Sequence, residues 1–407
     1  MRCSGDDVLI TGIGCVGPFG VDRESFWERL LAGDRAVRRL SAADCHGLGL
    51  GSHDRFQFVG APAFTPAGDV FVEPVLRLIS AAASEAVSHA RLSADSYSPD
   101  RAGCVIGTSK GGLTAFSQAL AAERRREPND AWLEVMPHVA SSVISRTYGL
   151  RAACLAPVAA CATGLVSVLR AFDLIQSDLC DVVIAGSGDA SLHPAVLASF
   201  KRMGVLATRF PEPAAACRPF NRDRDGFAIG EGAAVFVLER RDHAERRGAE
   251  GVARVLGGAV LSDPCGMTDV DPTGASPSRA ITDTLARCGV TPQNIGHVNL
   301  HGTATRSNDV AEASALRIAF GAFADRVPCV ALKGAIGHQL GAAGATELAV
   351  TALSIRDGML PPTVNLDDPD PKCALSLTRE PCAVSGLGLK LSLGFGGHVA
   401  VALLGPA

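Results

Sequence analysis

The amino-acid sequence predicts a layered α/β protein in which buried strands alternate with helices. Short runs rich in Val, Ile and Ala are separated along the chain by segments with helical periodicity. Hydrophobic residues make up 47% of the chain and charged residues 20%, which suffices for a sizeable core and argues against disorder. The length of 407 residues corresponds to two or three domains at about 150 residues each.

The individual elements follow from these local patterns. Seven apolar runs are predicted as strands: Val8–Gly12, Gly103–Gly107, Asp181–Gly186, Ala233–Leu238, Val252–Leu261, Ile295–Leu300 and Pro328–Leu332. Six segments with apolar residues at helical spacing are predicted as helices: Val75–Leu92, Ser141–Thr147, Gly164–Ser177, Ala280–Cys288, Val310–Phe320 and Ala345–Arg356.

The chain is predicted to form two halves. The charged segment Glu239–Gly251 is expected to be a surface link, which gives domains of 1–248 and 249–407. Around 155–176 a strand runs through a turn of small residues into a long apolar helix, and the same order recurs around 327–356. Duplication and chance similarity both explain such a pair of units.

Charge and composition exclude several classes of function. The net charge of −4 and the pI near 6.2 argue against a general nucleic-acid binder. No run reaches the roughly 18 apolar residues of a membrane span, and the polar start MRCSGDDVLI leaves no room for a signal peptide. Thirteen Cys without CxxC pairs favour a reducing cytoplasm over a disulfide framework, and no histidine pair has the spacing of a metal site.

Two short motifs suggest other functions but fit them poorly. Gly12, Gly14 and Gly17 have the spacing GxGxxG, yet Pro18 follows where a dinucleotide-binding turn would open a helix, so a glycine-rich turn is predicted. The motif GxSxG at 107–111 has the outline of a hydrolase nucleophile elbow. It keeps a serine hydrolase that uses Ser109 as a remote alternative.

The motif AACATG at 159–164 contains the best candidate nucleophile. Cys161 lies just before a helix that begins near Gly164, where the positive end of the helix dipole and free backbone N–H groups favour a thiolate. The neighbouring alanines and Gly164 are expected to leave space for an acyl chain and for close approach of another backbone segment.

Two histidines and a lysine are the candidate partners of this cysteine. His301 ends a predicted strand in HGTATRSND, and His338 lies in KGAIGHQLGAAG, five residues after Lys333. The glycine-rich segment GFGGH at 394–398 offers backbone amides for an oxyanion pocket.

Taken together, these motifs resemble the β-ketoacyl–acyl-carrier-protein synthases, the ketosynthases of the thiolase superfamily. The chain is most similar to those that elongate chains in type II fatty-acid and polyketide synthesis. The resemblance runs almost end to end and comprises VLITGIGCVGPFG, AACATG, RPFNRDRDGFAIGEGAAVFVLE, HGTATRSNDVAE, KGAIGHQLGAAGATE and LGFGGH. It implies a thiolase-like fold, with duplicated halves in a five-layered αβαβα arrangement.

The resemblance also implies an activity, the decarboxylative Claisen condensation of an acyl group with malonyl-acyl carrier protein. Cys161 matches the nucleophile that holds the acyl group. His301 and His338 match the histidines that hold the malonyl thioester oxygen, and Lys333 matches a lysine with a mainly electrostatic role.

Further residues match supporting positions of the family. Glu312 and Glu347 match its acidic residues, and Thr303 and Thr305 match residues that contact pantetheine. The backbone N–H groups of Cys161 and Phe395 match the oxyanion hole, with Phe395 as the gate between the acyl pocket and the extender site.

Four positions depart from the family's usual pattern. Leu391 and Val399 stand where asparagines are usual, Leu332 stands where Ser or Thr is common, and Lys110 replaces an apolar residue of the acyl-pocket floor. His398 stands where degradative thiolases have a second cysteine, which disfavours thiolysis. These departures leave the cysteine and both histidines in place but put the shape of the pocket in doubt.

The resemblance implies partners but no bound cofactor, since the substrates are carried on the phosphopantetheine of acyl carrier protein. A homodimer is expected, or a heterodimer with a related ketosynthase or chain-length-factor subunit, in the cytoplasm. Five arginines form a possible docking patch for the carrier protein: Arg124, Arg125, Arg126, Arg202 and Arg209. A solvated helix end is the simpler interpretation of the first three.

Two functional alternatives remain beside elongation. In both of them the chain is a ketosynthase-like subunit and not an elongating condensing enzyme. It acts either mainly as a heterodimer partner or in a non-elongating acyl transfer. A chain-length-factor subunit usually lacks the nucleophile, so the presence of Cys161 favours the condensing enzyme.

Overall fold

The computed structural model describes residues 7–45, 58–64, 71–126 and 130–407. Residues 1–6, which contribute to the expectation that no signal peptide is present, lie outside these ranges. Within them, no helix combines the length and the apolar character needed to cross a membrane.

The first half of the chain contains eight strands and six helices within the described residues. In chain order they are β1 (Val8–Val16), α1 (Arg23–Leu31), β2 (Arg38–Arg39), β3 (Val59–Ala61), α2 (Pro74–His89), β4 (Ala102–Gly107), α3 (Leu113–Arg125), α4 (Val139–Tyr148), β5 (Cys154–Leu155), α5 (Thr163–Gln176), β6 (Val182–Asp189), α6 (Pro194–Met203), β7 (Ile229–Gly230) and β8 (Gly232–Arg240).

The second half continues with α7 (Arg241–Arg246), β9 (Ala253–Ser262), α8 (Ala275–Cys288), β10 (Ile295–Asn299), α9 (Arg306–Phe320), β11 (Cys329–Val330), α10 (Lys333–Ile336), α11 (Ala343–Asp357), β12 (Met359–Leu360), β13 (Cys382–Ala383), β14 (Leu387–Gly394) and β15 (His398–Gly405). Every predicted strand is present, although β11 is shorter than predicted. Neither β14 nor β15 was predicted as a strand from the sequence. A lysine at the centre of β14 interrupts its apolar run, whereas the run of β15 is continuous.

Ten of these strands form one sheet in the order β11-β10-β14-β15-β9-β1-β8-β6-β4-β5. Outward from the centre, the first half reads β1-β8-β6-β4-β5 and the second reads β9-β15-β14-β10-β11. In each half the two inner pairings are antiparallel and the two outer pairings are parallel. The same strand order and directions in both halves show the structural duplication that the sequence left open.

The helices complete five layers. α5 and α11 lie between the two halves of the sheet, and their apolar side chains belong to the main core. α2 and α4 cover the outer face of the first half, and α8 and α9 cover the outer face of the second half. The αβαβα arrangement of a thiolase-like fold is therefore confirmed.

Glycines allow the two central helices to approach at their N-terminal ends. A Cβ atom on Gly164 would overlap the backbone nitrogen of Ala345, and one on Gly344 would lie 2.7 Å from the backbone nitrogen of Leu165. The close backbone approach expected at Gly164 is therefore present, and α11, not an acyl chain, occupies the space beside this glycine. The close approach brings the turn before α5 next to the turn before α11.

The predicted surface link is only partly a link. Glu239 is fully buried at the end of β8, where its carboxylate accepts a hydrogen bond from Arg247 Nε at 2.8 Å and lies 2.7 Å from His243 Nδ1. α7 follows at once. The segment looks exposed in the sequence because its charges are numerous, but several of them neutralise one another at the edge of the core.

Candidate active site

A cavity of about 200 Å³ opens between the two halves of the molecule. Cys161 comes from the turn before α5, whereas the other predicted groups come from loops of the second half. Six of the predicted catalytic, gating and pantetheine-binding residues line this cavity together: Cys161, His301, Thr303, Thr305, His338 and Phe395. Residues far apart in sequence therefore meet in one place.

The turn that carries Cys161 contains a strained residue, Ala160, and packs closely against Gly394. Ala160 has φ of 46°, a left-handed conformation that is unfavourable for a residue with a side chain. Gly394 packs on this turn, since a Cβ atom there would lie 2.6 Å from the Ala159 carbonyl oxygen. The backbone N–H of Phe395 lies near the Cys161 thiol and lowers its pKa.

The acidity of Cys161 differs from the sequence-based expectation. Burial raises the pKa of the thiol to about 12, although the charges of Lys333 and Lys110 and the Phe395 N–H oppose this shift. The sequence predicts that the helix end favours the thiolate, but in the resting site the effect of burial on the pKa is larger. Desolvation of a buried thiolate outweighs the favourable groups around it.

The two histidines are neutral and share one tautomer. Nδ1 of His338 accepts a hydrogen bond from the Leu340 backbone N–H at 3.3 Å, and Nδ1 of His301 lies 3.3 Å from Lys333 Nζ. Burial lowers the pKa of both imidazoles well below their usual range, and Lys333 lowers them further. A neutral ring whose Nδ1 accepts carries its proton on Nε2, so both side chains are N–H donors.

A fully buried ion cluster lies behind His301. Lys333 Nζ is 2.5 Å from Glu347 Oε1 and also donates to the backbone carbonyl of His301. The other carboxylate oxygen of Glu347 lies 2.7 Å from Nζ of Lys390, a residue in β14. Sequence analysis identified Lys333 and Glu347 from the family motif but missed Lys390.

Glu312 holds the loop of His301 from the other side. Its carboxylate accepts hydrogen bonds from the backbone N–H groups of His301 and Gly302, the second at 2.8 Å. Burial raises the pKa of Glu312 to about 7, against the effect of these two N–H donors. Glu312 also accepts a hydrogen bond from the Asn308 side-chain amide at 3.3 Å, and its two backbone contacts place it to position the loop.

A series of aromatic contacts connects the predicted gate to His338. The Phe395 ring stacks edge-on with Phe200 at 6.3 Å, Phe200 with Phe227 at 5.9 Å, and Phe227 with the His338 ring at 4.9 Å. Sequence analysis missed Phe200 and Phe227. The only signal for Phe227 was its place in the motif DGFAIGEG.

A buried arginine anchors the segment of Thr303 and Thr305. The two hydroxyl groups lie 2.9 Å apart at the cavity wall. Arg224 is 2% exposed, lies 3.3 Å from Asp309 and 2.8 Å from Asp370, and donates to the Thr305 carbonyl at 3.2 Å. The motif RPFNRDRDG thus supplies a support for this wall.

Lys110 and Ser109 belong to a separate polar cluster around Asp189. Lys110 Nζ lies 3.0 Å from the Asp189 carboxylate and donates to Ser109 Oγ at 2.7 Å, while Ser109 donates to Asp189. The serine therefore has an acid and an ammonium as neighbours rather than an imidazole base. This arrangement speaks against the serine-hydrolase alternative.

The remaining departures from the family pattern are buried, and the arginines of the candidate docking patch are exposed. Leu332 and Leu391 are fully buried and fill the core, while Val399 is buried at the cavity wall beside His398. The five candidate docking arginines are all exposed. Arg124, Arg125 and Arg126 lie at the end of α3. Arg202 immediately precedes Met203, which lines the cavity, and Arg209 lies 3.5 Å from Asp225.

Comparison with known proteins agrees with this geometry. The model of the β-ketoacyl synthase N-terminal domain matches residues 5–244, and that of the C-terminal domain matches residues 252–367. The ketoacyl synthase alpha subunit of the tetracenomycin polyketide synthase from Streptomyces glaucescens is 35% identical over 98% of this chain and 96% of its own length.

Two solved structures superpose over nearly the whole chain. One is a type II polyketide synthase acyl-carrier protein in complex with its ketosynthase bound to the hexaketide (28% identity, TM-score 0.90, covering 98% of this chain and 99% of that one). The other is the ishigamide ketosynthase/chain length factor (28% identity, TM-score 0.88, with the same coverage). Both halves are thus matched in sequence, and the duplicated fold is matched in space: the chain belongs to the β-ketoacyl synthase family.

Proposed function

We propose that this chain elongates acyl chains by condensing an acyl group held on Cys161 with a malonyl group carried by acyl carrier protein. The observation that carries the proposal is the meeting of one thiol and two neutral Nε2–H donors in a single cavity. The thiol suits covalent capture of an acyl group, and the two donors suit an oxyanion.

The first step is the loading of Cys161. Its sulfur attacks the thioester carbonyl carbon of the incoming acyl group, a new C–S bond forms, and the bond to the pantetheine sulfur breaks. The thiol proton passes to the departing pantetheine sulfur, so no net proton is released. The backbone N–H groups of Cys161 and Phe395 hold the oxygen of the tetrahedral intermediate.

The second step is the loss of CO₂ from the malonyl thioester. The bond between the malonyl Cα and its carboxylate carbon breaks, and the electron pair forms an enolate whose oxygen accepts hydrogen bonds from His301 and His338. Neutral donors suit this step, because they stabilise negative charge that appears only as CO₂ leaves.

The third step joins the two groups. The enolate carbon attacks the acyl carbonyl carbon on Cys161, and collapse of the tetrahedral intermediate breaks the C–S bond. The cysteine leaves as a thiolate and takes up one proton. The product is a 3-oxoacyl group on the carrier protein, longer by two carbons.

The substrates arrive on the phosphopantetheine of acyl carrier protein. Thr303 and Thr305 offer two hydroxyl groups to this arm at the cavity wall. Arg202 and Arg209 are exposed near the cavity and suit the acidic surface of a carrier protein. The complex of a carrier protein with the similar ketosynthase supports this partner.

The chain acts as a dimer through the free edge of its sheet. β5 is the last strand on the side of the first half, and Val158 just beyond it is 50% exposed. An uncovered edge with apolar neighbours invites a second strand. The partner is a second copy or a related subunit such as the one in the similar ketosynthase/chain length factor structure. Residues 1–248 and 249–407 are the two halves of each subunit.

Labelling with cerulenin, a thiol-directed trap for acyl-enzymes, tests the function against its alternatives. Mass spectrometry that places the adduct on Cys161 supports the condensing enzyme. The absence of an adduct favours the role of a partner subunit, and an adduct on Ser109 favours a hydrolase. Incubation with loaded carrier proteins then identifies the acyl group that Cys161 captures, and with it the fatty-acid or polyketide pathway.

A further inference from the structure

Lys390 is a charged residue in an unexpected place. The chain has only five lysines, at positions 110, 201, 333, 372 and 390. Two of them, Lys333 and Lys390, are fully buried, and both contact the same carboxylate. An ammonium group in the middle of a buried strand is costly unless its partners compensate for the lost water.

The partners of Lys390 connect it directly to the site. Its Nζ lies 2.7 Å from Glu347 Oε2 and donates to the backbone carbonyl of Leu300 at 3.0 Å, with the Asn299 carbonyl at 3.4 Å. Leu300 immediately precedes His301. One side chain thus ties β14 to the end of the segment that carries His301 and to the carboxylate that holds Lys333.

Two ammonium groups share one carboxylate in this cluster. Glu347 faces two ammonium groups, and the next carboxyl group, Glu312, already accepts two backbone N–H groups. Both ammonium groups lie behind the histidine whose donor faces the cavity. Positive charge at that place stabilises an anion that forms in front of His301.

We propose that Lys390 is a positioning residue for decarboxylation, which fixes Glu347 and the backbone before His301 and adds positive charge behind the enolate. This inference rests on the proposed function, since it concerns the step that releases CO₂. Lys390 does not line the described cavity, so it acts through its neighbours and not on the substrate.

The inference predicts a distinct pH dependence. Burial lowers the pKa of Lys390 to about 8, although Glu347 opposes the shift. A lysine with a lowered pKa is charged below that value and neutral above it, so CO₂ release is expected to fall as the pH rises through about 8. The titratable and charged groups that act on Lys390, or on which it acts, are Glu347, Lys333, Glu312, His301 and His338.

Lys390→Met tests the inference, because Met keeps most of the side-chain length and removes the charge. Lys372→Met is the matched control, since Lys372 is exposed and remote from the cluster. Each protein is assayed for loading of Cys161 from radiolabelled acyl carrier protein and, separately, for CO₂ release from malonyl carrier protein between about pH 6.5 and 9.5.

We expect Lys390→Met to load Cys161 at the normal rate and to lose about tenfold or more in kcat for CO₂ release, with KM unchanged. The fall in the rate of CO₂ release above about pH 8, which the wild type should show, should be absent from Lys390→Met. The Lys372→Met control should match the wild type. A wild-type rate and pH profile in Lys390→Met overturns the inference.

Two further outcomes keep the inference and the proposed function separate. If Lys390→Met does not fold, the wild-type profile decides: a decline near pH 8 supports the inference, and its absence refutes it. If the wild type itself neither loads Cys161 nor releases CO₂, the proposed function fails. If it does both and Lys390→Met equals it, only the role of Lys390 fails.

Discussion

Replacing His301 by Ala removes one of the two Nε2–H donors from the cavity and leaves the charged cluster behind it in place. Lys333 keeps its 2.5 Å contact with Glu347, and Glu312 keeps its bonds to the backbone of the loop. The change therefore acts mainly on the enolate. A donor aimed at a developing oxyanion contributes about 3–4 kcal/mol, so CO₂ release should fall by about 10²–10³-fold.

Loading of Cys161 should survive the same change. The nucleophile, its turn and the Phe395 N–H do not depend on the His301 ring. Two separate assays measure the effect: transfer of a radiolabelled acyl group to the protein, and release of labelled CO₂ from malonyl carrier protein. We expect the rate of acyl transfer to stay within a few-fold of wild type, while the rate of CO₂ release falls by about 10²–10³-fold.

A buried histidine on the preceding strand provides the control. His297 is 1% exposed in β10 and does not line the cavity, so His297→Ala makes a comparable void without removing a donor. Because the pKa of the His301 imidazole lies well below its usual range, the ring is neutral at and above neutral pH, and no imidazole titration should appear there. Normal CO₂ release with lost loading in His301→Ala would refute the reasoning and make His301 the base for Cys161.

Three further predictions concern other parts of the molecule. Cys161→Ala should abolish acyl-enzyme formation, as measured by mass spectrometry, and should keep the wild-type melting curve. In the wild type, the rate of alkylation of this thiol should rise about tenfold per pH unit below its raised pKa. A rate that does not change with pH would contradict the effect of burial on this pKa. Arg224→Met should lower the free energy of unfolding by about 3–5 kcal/mol in urea titrations, because it leaves Asp309 buried without its counter-ion; a loss below about 1 kcal/mol would count against this. Leu155→Arg at the free edge should convert the dimer into a monomer in sedimentation experiments, and a dimer that persists would place the interface elsewhere.

Local patterns in the sequence sufficed for much of the fold and for the main site residues. Strands such as β6 and β8 are continuous apolar runs, and α5 and α8 have helical spacing, so neighbours along the chain decide these elements. The family motifs likewise pointed to Cys161, His301 and His338 without knowledge of their distances. β14, which Lys390 interrupts, was not predicted, and neither was β15, although its apolar run is continuous.

The duplication of the fold could be suspected but not established from the sequence. Two strand–turn–helix units of similar composition occur by chance, whereas two five-stranded halves with the same order and directions do not. That order depends on which strands pair, and the pairing of β14 with β10 joins residues about ninety positions apart. No local pattern encodes such a partner.

The sequence by itself determined which groups are available for the proposed chemistry, because a thiol, an imidazole or an ammonium is a property of one residue in a recognisable motif. Only the tertiary structure decided the state of those groups. Burial raises the pKa of the Cys161 thiol against the effect of the adjoining charges, and hydrogen bonds from Leu340 and Lys333 select the histidine tautomers. The physical reason is that desolvation, hydrogen bonding and Coulomb interactions depend on distances in space, and folding brings together residues that lie far apart in the chain.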